Sequence, residues 1–107
     1  MEGQKPRPPR LPLVADAEIF DPLSSQLIPA RTSDLSIGGC YVEMANPLPV
    51  RTAVRLQLTY NETSITLFGD VVRCEPGKGM AVRFRPIGPN QMATLKGWFF
   101  SFERPGW

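Results

Sequence analysis

Residues 54–60 read V-R-L-Q-L-T-Y and residues 63–75 read T-S-I-T-L-F-G-D-V-V-R-C-E, with only Asn61 and Glu62 between them. Val54, Leu56, Leu58 and Tyr60 alternate with Arg55, Gln57 and Thr59, the period of two that gives a strand one dry face and one wet face. Asn61 and Glu62 then close a hairpin into the longer strand, in which Gly69 is expected to mark a bend or bulge. Upstream, Cys40, Val42 and Met44 alternate with Tyr41 and Glu43 over 40–44, ahead of the N-P-L-P break at 46–49. Downstream, the P-G-K-G turn at 76–79 leads into 80–85, where Met80, Val82 and Phe84 face one way and Arg83 and Arg85 the other.

Two more strands precede these. Over 13–20, Leu13, Ala15, Ala17 and Ile19 alternate with Val14, Asp16, Glu18 and Phe20, and an Asp-, Pro- and Ser-rich turn follows at 21–25. The next strand spans 26–33, and Pro29 places it near an edge or bulge because proline cannot donate to a ladder. After 87–89, I-G-P, the period changes. Proline suits a first helical turn, and Met92, Leu95, Phe99 and Phe102 follow at helical spacing, with Trp98 and Phe100 broadening the apolar face. Trp98, Phe99 and Phe102 are read as core. Gly97 costs this helix about 1 kcal/mol relative to alanine, so packing must hold it. The expected fold is mostly β: a six-stranded antiparallel β-barrel, which leaves no exposed edge, with one C-terminal α-helix as a lid. The barrel domain is assigned to 13–103 with the helix at about 89–102, and 1–12 to a flexible, basic, proline-rich arm.

The chain has 107 residues, enough for one domain with one core. A net charge of +2 is too small for non-specific attraction along nucleic acid, so any anion site is local. No run approaches the roughly 20 apolar residues of a membrane span, and the start of the chain lacks the apolar stretch of a secretory signal, which makes the cytoplasm the expected location. Cys40 and Cys74 lie in apolar or β-branched runs without C-x-x-C spacing and are expected to be reduced. The absence of histidine removes the usual general base and the commonest metal ligand, so neither an enzyme nor a metal site is expected.

Between two strand-like segments stands D-L-S-I-G-G, residues 34–39. A guanine presents N–H donors on its Watson–Crick edge and the acceptors O6 and N7 on another. Asp34 suits the donors, Ser36 can bond a base or phosphate oxygen, and Gly39 would let a ligand approach the backbone. A guanidinium fork suits the acceptor edge, a base face or a phosphate. Asp, Ser and Gly are also the residues that an ordinary tight turn selects. Arg31, Arg55, Arg73, Arg83 and Arg85 are read as solvated strand positions, with room for one of them to line a ligand face.

With its following strand C-Y-V-E-M, the preceding R-P-P-R-L-P-L, the late G-M-A-V-R-F-R and the closing helix, this motif resembles the PilZ domain family over about residues 7–102. The resemblance implies a six-stranded bacterial barrel that binds the second messenger cyclic di-GMP through an N-terminal R-x-x-x-R and a downstream D/N-x-S/A-x-x-G. The second motif matches at Asp34, Ser36 and Gly39. The first is out of register, because Pro6 stands four residues before Arg10, with Lys5 and Arg7 on either side. By resemblance the ligand-binding residues are Arg7, Arg10, Asp34, Ser36 and Gly39, with Lys5 and Gly38 secondary. The function so implied is a non-catalytic cyclic di-GMP receptor without cofactor, whose prolines keep the arm extended and which orders that arm on binding. Such a domain acts on a downstream protein partner as a monomer or weak dimer, with no nucleic acid polymer and no membrane insertion. The alternative is a degenerate PilZ-like domain that does not bind the messenger and serves as a protein-interaction adaptor. An oligonucleotide-binding barrel is disfavoured because the strands carry no exposed aromatic platform.

Overall fold

The computed structural model describes residues 10–103. Its elements in chain order are β1 (Asp16–Asp21), β2 (Gln26–Leu35), β3 (Gly39–Glu43), β4 (Ala53–Tyr60), β5 (Thr63–Glu75), β6 (Gly79–Phe84) and α1 (Pro89–Glu103). The strands pair antiparallel in the order β1-β2-β3-β6-β5-β4, and β4 returns to β1 to close the barrel. Closure satisfies both flanks of the sheet, so the expected six-stranded barrel with a C-terminal helix is the observed architecture. Leu13, Ile19, Leu35, Leu56, Leu58, Met80 and Leu95 are fully buried in its core. Pro29 sits where the expectation put it: β2 pairs only with β1 there, and the β2–β3 ladder begins at Arg31. No helix among the described residues is long and apolar enough to cross a membrane.

Several local expectations need correction. The first strand starts at Asp16 instead of residue 13. Leu13 and Ala15 still point inward, because the Thr32 side chain replaces the missing ladder. Thr32 Oγ1 donates to the Leu13 carbonyl at 2.9 Å and accepts from the Ala15 amide at 2.9 Å, while the Thr32 amide donates to the Ala15 carbonyl at 3.0 Å. Strand β2 runs on to Leu35, so Asp34 is a strand residue and not part of the turn. Gly69 marks no bulge. It pairs in register with Val54 and Phe84, and a Cβ there would stand 2.6 Å from the Arg83 carbonyl oxygen. The β5 bulge lies between Val71 and Arg73, where the Val71 backbone also bonds residues 51 and 52.

The helix buries a narrower face than its sequence suggests: Leu95 and Trp98 are buried, and Trp98 packs 5.7 Å from the Tyr60 ring. Phe102, expected in the core, is exposed. It lies on the same helical face as Leu95 but about 10 Å further along the axis at 1.5 Å per residue, beyond the turn that meets the barrel. Phe100 is about 140° around from Leu95 and is 63% exposed.

Asn61 (φ 51°) and Glu62 (φ 63°) both take left-handed backbone, the pattern of a two-residue type I′ hairpin between the paired Tyr60 and Thr63. Glutamate bears a steric cost there that glycine avoids, partly offset by the greater freedom of glycine in the unfolded chain. Glu62→Gly is expected to stabilise the domain by about 0.5–1 kcal/mol in urea unfolding. Cys40 faces the barrel interior, and burial pushes its thiol up to about 12. The folded state therefore keeps a proton that the unfolded thiol loses above about pH 9, so this contribution is intact below pH 9 and is lost as pH rises towards 12. At pH 10 the wild type should have lost about 1.4 kcal/mol more than Cys40→Ala, each relative to its own value at pH 8.

Candidate functional site

The site begins with an irregularity in β2. Ile28, Ala30 and Thr32 share the inner side of the strand, and strict alternation would turn Asp34 inward after them. The β2–β3 register instead shifts between Thr32, paired with Val42, and Asp34, paired with Tyr41, leaving Ser33 as the extra residue. The bulge reverses the parity of the strand. Leu35 enters the core at 0% exposure, and Asp34 is delivered to the outer surface.

The segment before β1 brings a cation to it. Leu11 forms a two-way bridge with Leu35, its amide 3.0 Å from the Leu35 carbonyl and its carbonyl 2.9 Å from the Leu35 amide. This pins Arg10 beside the end of β2, where Nη1 donates to Asp34 Oδ1 at 2.9 Å. Both side chains remain partly open to solvent, Arg10 at 45% and Asp34 at 30%.

Ser36 and Gly39 build the turn between β2 and β3. The buried Ser36 hydroxyl donates to the Gly39 carbonyl and accepts from the Gly38 and Gly39 amides, all at 3.2 Å. The Ser36 amide donates to the same Gly39 carbonyl at 2.8 Å, and the Phe84 amide holds the Gly38 carbonyl at 2.9 Å. A Cβ on Gly39 would lie 2.2 Å from the Val82 carbonyl oxygen. The glycine thus permits a close approach to the backbone of β6, a packing reason for its place here in addition to the expected one.

Outside the barrel, across β3, β6 and β5, lies a groove of about 430 Å³, within the usual range for small-molecule sites. There is room for it because the outward positions there are small: Gly39 on β3 and Ala81 on β6. Arg10, Ser36 and Gly38 bound one side, Val72 and Arg73 rise from the β5 bulge, and Arg83 projects from β6. Asp34 stands beside the groove through its bond to Arg10. Of the residues expected to form a site, the structure therefore brings together Arg10, Asp34, Ser36, Gly38 and Gly39, while Lys5 and Arg7 lie outside the described residues.

Arg73 and Arg83 had been read as solvated strand positions, and both border the groove. Alternation along β6 does point Arg83 outward, opposite Met80 and Val82. Its place next to Gly39, however, depends on the long-range β3–β6 register. Arg73 lies 5.7 Å over the Tyr41 ring and 3.8 Å from Glu75 Oε2, and the Tyr41 hydroxyl donates to Glu75 Oε1. Loss of hydration, then the bond to Glu75, pushes Tyr41 up to about 12, and that same bond holds Glu75 below the usual carboxylate range. The groove thus offers guanidinium groups, with a carboxylate beside them, against a rigid backbone wall, a set suited to a polar ligand that carries negative charge and both donor and acceptor edges.

A family model described as PilZ domain matches residues 4–101. Among solved structures, the PilZ domain of CeSA from a cellulose-synthesizing bacterium is similar with a TM-score of 0.70 at 24% identity, over 89% of this chain and 98% of that one. The inhibitor of motility MotI/DgrA of Bacillus subtilis is similar with a TM-score of 0.71 at 16% identity, over 94% of this chain. This chain spans 52% of that protein. At these identities the likeness to the two structures is one of fold. No curated protein matches the sequence.

The geometry separates permanent from exchangeable contacts. Gly39→Ala forces a Cβ into the Val82 carbonyl and should cost about 2 kcal/mol or more in chemical denaturation. Asp34→Asn breaks only a partly exposed ion pair and should change stability by about 1 kcal/mol or less in the same measurement.

Proposed function

The chain belongs to the PilZ domain family, a family of cyclic di-GMP receptors, and on that premise we propose that it is itself a cyclic di-GMP-binding, non-catalytic receptor domain. The observation that carries the reading is the meeting of Arg10 and Asp34, 24 residues apart in sequence, at 2.9 Å beside the groove. A carboxylate and a guanidinium on adjoining backbone segments can address the two edges of one guanine. Asp34 accepts from the ring N–H and exocyclic amine, and Arg10 turns to O6 and N7 with its two-pronged donor.

Magnitudes favour this exchange. A partly exposed ion pair contributes roughly 0–1 kcal/mol, so opening the Arg10–Asp34 contact costs little. Each charge-assisted hydrogen bond formed to the ligand contributes roughly 1.5–3 kcal/mol. Three or four of them, less the entropy of immobilising the ligand, are enough for micromolar binding. Ser36 and Gly39 support this indirectly by holding the turn rigid against β6, so that the Gly38 and Gly39 backbone forms a fixed wall.

In this reading Arg7, with Lys5 secondary, stands in for the arginine that Pro6 displaces, and the residues before Arg10 order over the ligand, Leu11 being already bridged to Leu35. The bound messenger alters the surface seen by a downstream protein partner, in the cytoplasm where such a messenger is made. The displacement of the first arginine by Pro6 favours one rival, an adaptor barrel that no longer binds the messenger.

Titration calorimetry of the whole chain with cyclic di-GMP decides between them. Saturable heat at micromolar ligand is expected. Arg10→Ala and Asp34→Ala should each weaken binding at least tenfold with the fold intact, and Arg7→Ala should do so if the shifted arginine fills the vacant role. Amide exchange over residues 5–13 should slow on saturation. Absence of both heat and chemical-shift change at high ligand selects the adaptor.

A further inference from the structure

The groove is bordered by three guanidinium groups, Arg10, Arg73 and Arg83, and two of them already face carboxylates. Arg10 is bound to Asp34, and Arg73 stands 3.8 Å from Glu75 while covering the Tyr41 ring. Arg83 has no carboxylate within 4.0 Å among the described residues. Its cross-strand neighbour on β5 is Asp70, which would be the natural partner. Asp70 is instead gripped at both oxygens by Arg85, Nε to Oδ2 at 3.0 Å and Nη2 to Oδ1 at 2.7 Å, and this bond holds its carboxyl below the usual range. The two-pronged pair leaves Arg83 a longer-range attraction to Asp70 but no bonded carboxylate among the described residues.

Its position is as specific as its charge. On the other flank Arg83 pairs with Gly39, and the next residue, Phe84, bonds the Gly38 carbonyl at 2.9 Å. The guanidinium therefore rises from backbone that is locked to the glycine turn, beside Gly39, which has no side chain to cover it. Cyclic di-GMP carries two phosphodiester charges as well as its guanines. The Arg10–Asp34 and Arg73–Glu75 pairs are each neutral as a unit, which leaves Arg83 as the net positive charge of the groove.

We infer that Arg83 is a phosphodiester-binding residue of this groove and adds from β6 a cationic contact separate from those of the arm. The inference rests on the reading that the groove binds cyclic di-GMP. A guanidinium fork matches two oxygens of one phosphodiester, where an ammonium would meet them as a single point charge.

The test is calorimetry of the whole chain with cyclic di-GMP for wild type, Arg83→Ala, Arg83→Lys and, as a control on β4 away from the groove, Arg55→Ala. Phosphorus NMR of the bound ligand is recorded alongside, and thermal melts check the fold. The expected result is at least a tenfold loss for Arg83→Ala, a partial loss for Arg83→Lys and less than twofold for Arg55→Ala, all with unchanged melting. The bound phosphorus resonance, displaced from its free position in wild type, should return towards it when Arg83→Ala is saturated. Wild-type binding with Arg83→Ala equally tight, or with its phosphorus shift unchanged, overturns the inference and leaves the receptor reading standing. No binding by wild type overturns both.

Discussion

Between Thr32 and Asp34 the ladder of β2 with β3 slips by one residue, and the direction of every later side chain on β2 follows from that slip. Without it, Asp34 would turn towards the hydrocarbon of the core and Leu35 towards water, a reversal costing both a buried charge and an exposed leucine. With it, Leu35 seals the end of the barrel while its backbone holds Leu11, and Asp34 emerges beside Arg10. The bulge thus joins core packing to site geometry. The Thr32 hydroxyl, bonded on both sides to the segment at 13–15, steadies the chain next to this break.

The second structural element of the site is the turn that follows. Its serine is satisfied within the turn and its second glycine lies against β6 too closely for any side chain. These residues contribute shape rather than a chemically available group. The neighbouring arginines and Asp34 contribute charge on side chains that remain partly solvated and are held by contacts of small energy. A rigid backbone wall beside loosely paired charges is a sensible division for a reversible receptor, because the wall is preorganised and the ion pairs can exchange partners without disturbing the fold. Cys40 lies on the inner side of the same strand as this wall, where burial keeps the thiol protonated and the chemistry of the interior separate from that of the groove.

Closure of the barrel also explains why the groove has its particular borders. β3 is followed in sequence by β4 but neighboured in space by β6, and β6 in turn lies beside β5. Ser36, Gly38, Gly39, Val72, Arg73, Ala81 and Arg83 thereby border one groove. The bonded pair Arg85–Asp70, next in the row, has no direct part in the groove and yet determines its charge by withdrawing the carboxylate nearest to Arg83.

Alternation of apolar and polar residues, with proline and glycine as punctuation, was enough to read six strands, their approximate limits, the closing helix and the inward faces of β3, β4 and β6. These are local properties, written in side chains two or three and four positions apart. The motif at 34–39 was legible as well, and the fold brings its Asp34, Ser36, Gly38 and Gly39 to or beside one groove. Three things were not legible: the parity change at Ser33, the packing reason for Gly39, and the membership of Arg73 and Arg83 in the groove. Phe102 was misread as core because helical periodicity specifies a face but not how far along that face the barrel extends. Each of these depends on register between strands distant in sequence, and register is set when the whole barrel closes. Only then does a given arginine acquire, or lose, a carboxylate within reach.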